Sequence, residues 1–403
     1  MPAMKDVLYI CVKNPFCQRD MERMGIESLE RMFDVRILDC TEWLMPQACR
    51  TRGHSSFERK NLYRIASLSE FRAFIGRLPG GFAIDYVGQF SASAVFLFHA
   101  LKKNGTRIIV VDSGAYPSPD LALGKRSLLT KVVDAYRHGV FLQMFKEKCV
   151  RWLLKILPDQ SPDFAFVAGQ AWQGDPRFRS AANHIPAHSF DYEVYRARRA
   201  AVDDTAARYA VYLDETIAGH EDNAELGLPE PASERDFYPA LGRFFDAFEA
   251  TTGLPVVVAA YPSAEMDSCQ AFFGGRKVLK GQTAELVRDA SLVFAHASTA
   301  ISYAVLWRKP LAFLTNGEIS KGWYQPWIDA PRVLLNAPLF NIDDSLPKIP
   351  KEDWLNLDRD AYRRYESWFI KGEDSPDVSL WERFEVLMTS RSVPPGVRTG
   401  LAI

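Results

Sequence analysis

Two adjacent acids, Asp214 and Glu215, follow a short apolar run in the segment VYLDETIAGHEDNAELG. The run Val211–Leu213 is typical of the end of a β-strand, and a carboxylate at the carboxyl end of a parallel strand can take a proton from an incoming hydroxyl. Adjacent acids also occur as helix caps and as solvated loop residues, so the pair alone leaves both interpretations open. We take the pair as the candidate position of a general base.

A second segment, SLVFAHASTAISYAVL, places small and hydroxyl-bearing residues between two apolar runs. The pattern predicts a strand over Leu292–Ala295 and a helix from Ala300 to Leu306. The turn between them contains His296, Ser298 and Thr299. Hydroxyls and free backbone N–H groups at such a turn can bind a phosphate. The alternative is that Ser298 or Thr299 only caps the helix.

A third segment, VVVAAYPSAE, ends an apolar run with Tyr261 and Pro262. Proline stops the strand, so the Tyr261 side chain is expected at the edge of the sheet. There its phenol can donate a hydrogen bond to a phosphate or a ribose, although it supplies no positive charge. The alternative is an aromatic ring packed over the end of the strand.

Together these segments resemble a group of bacterial surface-carbohydrate biosynthesis proteins with the two-Rossmann glycosyltransferase fold, the GT-B type. The resemblance lies in the order LDE, DFYPALGRFFDAFEATTGLPVVVAAYP and GGRKVLKGQTAELVRDASLVFAHASTAISYAVLWRKPLAFLT. VKNPFCQRDMERMGIESLE and IPAHSFDYEVY extend it over most of residues 5–320. The group is in turn similar to bacterial sialyltransferases and related transferases of 2-keto acid sugars. Those enzymes share an acidic pair ahead of a glycine, His-Pro, and Ser-Ser/Thr.

The resemblance implies roles for two of the segments. Asp214 would be the preferred general base, with Glu215 beside it and Thr216 standing where a glycine is usual. Ser298 and Thr299 would hold the phosphate of a cytidine monophosphate (CMP) sugar.

The His-Pro motif of the family falls on Tyr261 and Pro262, so this chain departs from the pattern at the histidine. In such enzymes the histidine assists departure of the nucleotide phosphate, whereas tyrosine offers only a neutral donor. His296 and His220 are the residues that could supply a nearby donor.

The implied function is transfer of an acidic sugar, a nonulosonic or related 2-keto sugar, from a CMP-sugar donor. The acceptor would be a bacterial surface glycan, a lipid-linked glycan or a glycoprotein. Because CMP itself is the leaving group, no metal ion or other cofactor is obligatory. Two alternatives stay open: a UDP-sugar transferase or epimerase on the same fold, and a non-catalytic protein that binds a sugar nucleotide or glycan.

The elements that must position these residues follow an alternating pattern of apolar runs and amphipathic stretches, which predicts an α/β fold. We expect two Rossmann-like domains facing a cleft, with closing helices at the C-terminus. The expected ranges are 1–195 for an acceptor-side domain, 196–345 for a nucleotide-sugar domain and 346–403 for helices that pack back on both. Strands are predicted in the first half at Val7–Val12, Val35–Leu38, Phe82–Val87, Arg107–Val111 and Asp163–Ala168, with a helical stretch around Met21–Met32. In the second half, strands are predicted within RYAVYLDET, LPVVVAAYP, RKVLKG, SLVFAHAS and KPLAFLTN. Helical spacing of apolar residues predicts a helix there that contains Tyr238, Leu241, Phe244, Phe245 and Phe248.

Composition argues against a nucleic-acid-binding protein that works through overall positive charge. The chain has 403 residues with 49 Lys and Arg against 50 Asp and Glu, so it has no bulk basicity with which to bind nucleic acid. Its six cysteines form no C-x-x-C pair, and its first residues do not resemble a signal peptide. We therefore expect a cytoplasmic protein with reduced thiols.

The segment 125–155 differs in charge from the rest of the chain. It contains eight Lys or Arg and two acids, with apolar residues at helical spacing. One interpretation is reversible contact with an anionic membrane, which would place the protein at the inner face of that membrane. The other is that the apolar stripe packs on its own domain and the cations are only solvated. The stripe consists of Leu129, Val133, Tyr136, Val140 and Met144.

Overall fold

The computed structural model describes residues 5–46, 49–50, 57–77, 80–88, 91–124, 127–157, 161–199, 209–219, 223, 228–262, 264, 270–345 and 354–389. Strands and helices alternate along these residues, and the strands form two parallel sheets. The predicted α/β class with two Rossmann-like sheets is confirmed.

The first sheet contains seven parallel strands within the described ranges. They are β1 (Val7–Val12), β2 (Asp34–Asp39), β3 (Leu62–Arg64), β4 (Phe82–Asp85), β5 (Arg107–Val111), β6 (Phe164–Ala168) and β7 (Asn183–Ala187). Their order across the sheet is β3-β2-β1-β4-β5-β6-β7, so the direction of winding reverses between β1 and β4. The strand order is that of a doubly wound sheet with helices on both faces.

The helices along the first part of the chain are short apart from two. They are α1 (Gln18–Arg23), α2 (Ile26–Met32), α3 (Thr41–Leu44), α4 (Leu68–Ile75), α5 (Ala92–Lys103), α6 (Pro119–Ala122), α7 (Leu128–Arg137), α8 (Phe141–Ile156), α9 (Pro176–Arg179) and α10 (Phe190–Arg198). The helical stretch predicted around Met21–Met32 is two helices, because Gly25 between them has a left-handed backbone with φ of +57°.

The second sheet contains six parallel strands among the residues described. They are β8 (Ala210–Leu213), β9 (Val256–Ala260), β10 (Val278–Lys280), β11 (Leu292–Ala295), β12 (Leu311–Thr315) and β13 (Leu339–Asn341). Their order is β10-β9-β8-β11-β12-β13, which again reverses beside the first strand. The helices that follow are α11 (Glu234–Thr252), α12 (Thr283–Asp289), α13 (Ile301–Leu306), α14 (Gln325–Leu334), α15 (Arg359–Tyr365) and α16 (Leu380–Thr389).

The core of the second sheet is aromatic on the side covered by α11. The predicted helical spacing is confirmed, because the five apolar residues that define it are all buried. Phe294 of β11 packs edge to face with Phe244 and Phe248 of this helix. The five residues are Tyr238, Leu241, Phe244, Phe245 and Phe248.

Three strands were not predicted, and each lies at an edge of a sheet: β3, β7 and β13. An edge strand need not be apolar throughout, since part of it is solvated. β7 even contains Pro186, a residue tolerated at edges because it removes only one hydrogen-bond donor. The apolar runs therefore located central strands well and edge strands poorly.

Contacts divide the chain into two compact units. The first comprises Met1–Ser113, Leu142–His188 and Glu373–Ile403, and the second comprises Gly114–Phe141 and Ser189–Gly372. The predicted ranges run in chain order, whereas the units exchange two segments, and the described part of 346–403 is divided between them. Within the described residues, no helix is both long and apolar enough to cross a bilayer.

Gly25 provides a test of how the first unit is completed by the C-terminal helix α16. A Cβ atom at Gly25 would overlap the Trp381 ring, whereas Gly105 also has positive φ but has open space around it. We expect Gly105→Ala to lower the free energy of unfolding by about 1 kcal/mol through backbone strain alone. Gly25→Ala should lower it by roughly 1–3 kcal/mol more, because the ring must also move. Equal losses for both variants in chemical denaturation would contradict this packing.

Candidate functional site

Two of the three predicted segments meet at the point where the strand order of the second sheet reverses. Tyr212 of β8 pairs with Phe294 of β11, so the loops after these strands leave the sheet side by side. The acids Asp214 and Glu215 begin one loop, and residues 296–299 form the other. The carboxyl end of a parallel sheet at such a reversal is the usual place for a ligand site in doubly wound proteins.

The Glu215 carboxylate joins the two loops directly. Its Oε1 accepts a hydrogen bond from the backbone N–H of His296 at 3.3 Å, and its Oε2 accepts one from the N–H of Ala297 at 3.2 Å. Oε2 also accepts a hydrogen bond from the hydroxyl of Tyr324 at 2.7 Å. Tyr324 precedes helix α14, and the sequence analysis missed it because nothing local marks a tyrosine as the partner of an acid 109 residues away.

The surroundings of Glu215 change its acidity. Burial raises its pKa to about 7, and the charge of Asp214 acts in the same direction. The hydrogen bonds from Tyr324, His296 and Ala297 oppose the shift without cancelling it. Burial also raises the pKa of Tyr324 well above its usual value, so its phenol keeps its proton. Glu215 is therefore a carboxyl group that can gain or lose a proton near neutral pH.

Asp214 is equally buried but has a different local role. Its Oδ1 accepts a hydrogen bond from the backbone N–H of Thr216 at 3.0 Å, which closes a tight turn after β8. Thr216 has φ of +47°, the left-handed conformation that glycine adopts without strain and a β-branched residue rarely adopts. Thr216 therefore stands where the family that the chain resembles usually has glycine, and its backbone adopts the conformation that glycine favours.

The hydroxyl residues after β11 lie partly open to solvent. Ser298 is half-buried and its Oγ accepts a hydrogen bond from the N–H of Ala300 at 3.3 Å, whereas Thr299 is exposed. Helix α13 begins at Ile301 and has six residues. The N–H groups of residues 296 and 297 already bind the Glu215 carboxylate. Any phosphate ligands in this loop would therefore come from the two hydroxyls and the remaining N–H groups.

The side chain of His296, in contrast to those of Ser298 and Thr299, lies in the aromatic core of the second unit. It has no exposed surface and packs edge to face against Tyr212 and beside Phe237. Burial lowers its pKa to about 3, and the backbone of Leu314 only partly opposes that shift. The imidazole is therefore neutral and buried among aromatic rings, and its suggested part in leaving-group departure stays a prediction.

The remaining predicted site residues are Tyr261, Pro262 and His220. Tyr261 is half-buried at the end of β9, the neighbour of β8, and Pro262 is exposed beside it. The Tyr261 carbonyl accepts a hydrogen bond from the N–H of Ala264, which fixes the turn after the strand. His220 lies outside the described residues. Its suggested donor role stays a prediction.

A groove of about 680 Å³ opens in the second unit next to the loops after β8 and β12. Gly219 and Glu318, which follow these strands, line it together with Trp323 and the segment before α11. Hydrogen bonds to carboxylates connect the segments that line the groove. Glu318 accepts one from the N–H of Ser233, and Glu230 accepts one from the N–H of Gly219. The sequence analysis missed this groove, although NGE directly after the strand KPLAFLT was a visible signal.

The groove is acidic. The residues that line it are His138, Gly219, Pro229, Glu230, Pro231, Ala232, Ser233, Glu234, Glu318, Gly322 and Trp323. Three of them are glutamates, and neither lysine nor arginine is among them. An anionic group inside the groove would be repelled, whereas a neutral, hydroxyl-rich ring could donate to the carboxylates and stack on the Trp323 indole.

The first sheet also ends its central strands in buried acids. Asp85, the last residue of β4, accepts hydrogen bonds from the N–H groups of Val87 and Gly88. Burial raises its pKa, while the charge of Arg177 opposes the shift. Asp39 at the end of β2 accepts one from the N–H of Phe16. These carboxylates fix the loops at the carboxyl edge of that sheet.

Comparisons with known proteins give similarity of overall structure. No protein-family model matches the chain, and no curated protein matches it. A putative UDP-N-acetylglucosamine 2-epimerase from Listeria monocytogenes is similar, with 12% identity, coverage of 96% of each chain and a TM-score of 0.48. An S. aureus MnaA–UDP co-structure has 12% identity, coverage of 95% of each chain and a TM-score of 0.46. Acinetobacter baumannii MurG has 8% identity over 95% of this chain and 99% of its own, with a TM-score of 0.45. Similarity at this level identifies neither a substrate nor a reaction.

The raised pKa of Glu215 predicts a pH dependence of stability. The folded state holds this proton up to about pH 7, whereas an unfolded glutamate loses it near pH 4.5. Stability should therefore fall, by on the order of 3 kcal/mol from this group, as pH rises from the lower to the higher of these values. Glu215→Gln should remove most of that decline in denaturation curves at pH 5 and pH 8.

The exposed acid Asp344 supplies the matched control, since it lies in the same unit. Asp344→Asn should leave the decline between the two pH values as it is in the wild type. An unchanged decline in Glu215→Gln would show that the Glu215 carboxyl does not titrate as described.

Proposed function

We propose that this chain is a nucleotide-sugar-dependent glycosyltransferase of GT-B type whose second unit binds the donor. The observation that carries the proposal is the Glu215 carboxyl group, buried at the strand reversal and titrating near neutral pH. A carboxyl with such a pKa is suited to take a proton from an acceptor hydroxyl and later release it. Hydrogen bonds from two backbone N–H groups and a tyrosine hydroxyl hold the carboxyl group in place, while its pKa of about 7 lets it change protonation state near neutral pH.

Asp214 and Glu215 divide the work in this proposal. The Asp214 carboxylate holds the turn by accepting the Thr216 N–H, and it raises the pKa of its neighbour. Glu215 is then the proton acceptor, although the family resemblance favoured Asp214 for that role. Ser298 and Thr299 remain the proposed phosphate ligands, and Tyr261 remains the proposed neighbour of the leaving group.

The charge of the groove bears on the donor. A nonulosonic sugar carries a carboxylate, and three glutamates line the groove in which we propose that the sugar lies. That environment favours a neutral sugar, the kind usually carried by UDP, over the acidic sugar of the CMP-linked donor. Two of the similar structures concern UDP or a UDP-sugar enzyme, so UDP has to be tested on equal terms with CMP. We propose the neutral sugar as the first donor class to test.

An epimerase is the second candidate, because the same site chemistry can remove and return a proton on the sugar itself. The titratable Glu215 is the feature that favours it, since one group with a pKa near 7 can act in both directions. Proton NMR of a UDP-sugar incubated without acceptor separates the two reactions. An epimerase gives a new sugar with the nucleotide still attached, whereas a transferase without acceptor gives no epimer.

Nucleotide binding is tested by thermal-shift titration with UDP, CMP and GDP. A nucleotide at about a hundred times its dissociation constant should stabilise the protein by roughly 2.7 kcal/mol. We expect UDP to give the largest shift, and Ser298→Ala combined with Thr299→Val to weaken it by roughly 1.5–3 kcal/mol because a charged phosphate loses its donors. Asp344→Asn is the control and should bind normally. A larger response to CMP would restore the CMP-sugar donor, and no response to any nucleotide would contradict the proposal.

The base assignment is tested with the nucleotide sugar that binds and a competent acceptor. Glu215→Gln should lower kcat about 10²–10⁴-fold, and the rise of kcat/KM around pH 7 should disappear with it. Asp214→Asn should shift the midpoint of that rise to lower pH, because a neighbouring charge is lost, while part of the activity remains. A variant Asp214→Asn without activity beside an active Glu215→Gln would return the base role to Asp214.

A further inference from the structure

Helix α8 exposes an apolar stripe along its whole length. Leu142 and Trp152 are each 64% exposed and Phe145 is 55% exposed. At 3.6 residues per turn, the exposed apolar residues of the helix fall within an arc of about 100°. They are Phe141, Leu142, Phe145, Cys149, Trp152 and Ile156. Large apolar side chains grouped in this way mark a surface that binds a partner or a membrane.

Exposed lysines border this stripe on both sides. The helical period places Lys148 and Lys155 along one border and Lys146 along the other, and all three side chains are exposed. The helix sequence FLQMFKEKCVRWLLKI contains four Lys or Arg and one acid, in a chain whose formal charge is −1. The helix therefore carries an excess of positive charge that the chain as a whole lacks.

The structure bears on the competing explanation that the apolar residues of the basic segment are buried on their own domain. On α7, Val133 is 47% exposed and Tyr136 is 80% exposed, so that part of the explanation is wrong. Among the described side chains of α7, Ala135 is buried, and Met144 and Val140 in the same basic segment are only half-buried. The side chain of Leu129 lies outside the described residues, as do Lys125 and Arg126.

We propose that helix α8 is a docking surface for an anionic lipid bilayer. Phe145, Trp152 and their neighbours would enter the boundary between headgroups and acyl chains. The flanking lysines would extend their ammonium groups to lipid phosphates while their stems cover apolar surface. Tryptophan is a residue typical of this boundary because its ring is apolar and its N–H is polar.

Charge complementarity selects the bilayer over a second copy of this chain. Two α8 helices packed through the same face would bring the borders formed by Lys146, Lys148 and Lys155 close to each other, and like charges repel. An anionic surface instead attracts every one of them at once. The attraction should favour the orientation that presents α8 to the bilayer.

The strength of this contact should depend on lipid charge and on salt. Each lysine near an anionic surface is expected to raise the partition coefficient about fivefold, and salt screens the attraction. The triple variant Lys146→Gln, Lys148→Gln, Lys155→Gln should therefore lose about a hundredfold in binding. The variant Phe145→Glu, Trp152→Glu should abolish it, because charged side chains would have to enter the lipid.

Co-sedimentation of the full chain with vesicles tests the proposal. One set of vesicles is pure phosphatidylcholine, and the other is an equimolar mixture with phosphatidylglycerol, each at low and high salt. We expect binding to the anionic vesicles that weakens with salt. Two matched controls should bind as the wild type does: Val386→Glu, at a 64% exposed apolar residue of α16, and Lys103→Gln, at an exposed lysine of α5.

Three outcomes would overturn the proposal. Equal binding to both vesicle types, or binding to neither, would remove the anionic bilayer as the partner. Wild-type binding by the Phe145→Glu, Trp152→Glu variant would show that another surface is responsible. Sedimentation velocity provides the third: a dimer that this variant abolishes would assign the stripe to a second copy of the chain. None of these measurements depends on enzymatic activity, so they stand apart from the proposed function.

Discussion

One buried carboxylate, that of Glu215, joins three separate places in the chain of the second unit. Glu215 follows β8, its backbone partners follow β11, and Tyr324 precedes α14. Parallel strands bring their carboxyl ends to one edge of a sheet, but the hydrogen bonds of the sheet do not connect the loops that follow. The buried Glu215 carboxylate connects them by accepting three hydrogen bonds. Without it, two N–H groups and a phenol would lose a partner. The same desolvation that makes the pairing strong also moves the pKa of the acid to about 7. Burial of Glu215 therefore accounts both for the connection between the loops and for the raised pKa of its carboxyl group.

Central strands and the strand-end positions of the site were predictable from the sequence. Apolar runs predicted β1, β5 and β11 at their bounds, and the loops that carry the acids and the hydroxyls follow neighbouring strands of one sheet. What could not be read was orientation. His296 sits in the same loop as Ser298, yet its ring turns into the aromatic core. A sequence gives the order of residues in a tight turn, whereas the packing of Tyr212 and Phe237 decides which way each side chain points.

Long-range partners were equally hidden. Tyr324 is distant in sequence from Glu215, and only the folded chain brings it there and groups the three glutamates of the groove beside Gly219. Motifs record residue types along the chain and not the charges that surround them in the fold. The donor class in our proposal therefore rests on the carboxylates of the groove rather than on the family resemblance.

The last described helix belongs to the first unit, with Phe384 between the rings of Phe33 and Phe166 and Trp381 over Gly25. During synthesis a chain emerges from its N-terminus, so the first sheet is made long before the side chains that complete its core. Until the helix Leu380–Thr389 leaves the ribosome, the aromatic side chains of the first unit that it covers stay exposed. The second unit, by contrast, has all of its described strands in one continuous stretch and can close first. The order of folding is therefore expected to run against the order of synthesis, with the earliest residues settling last.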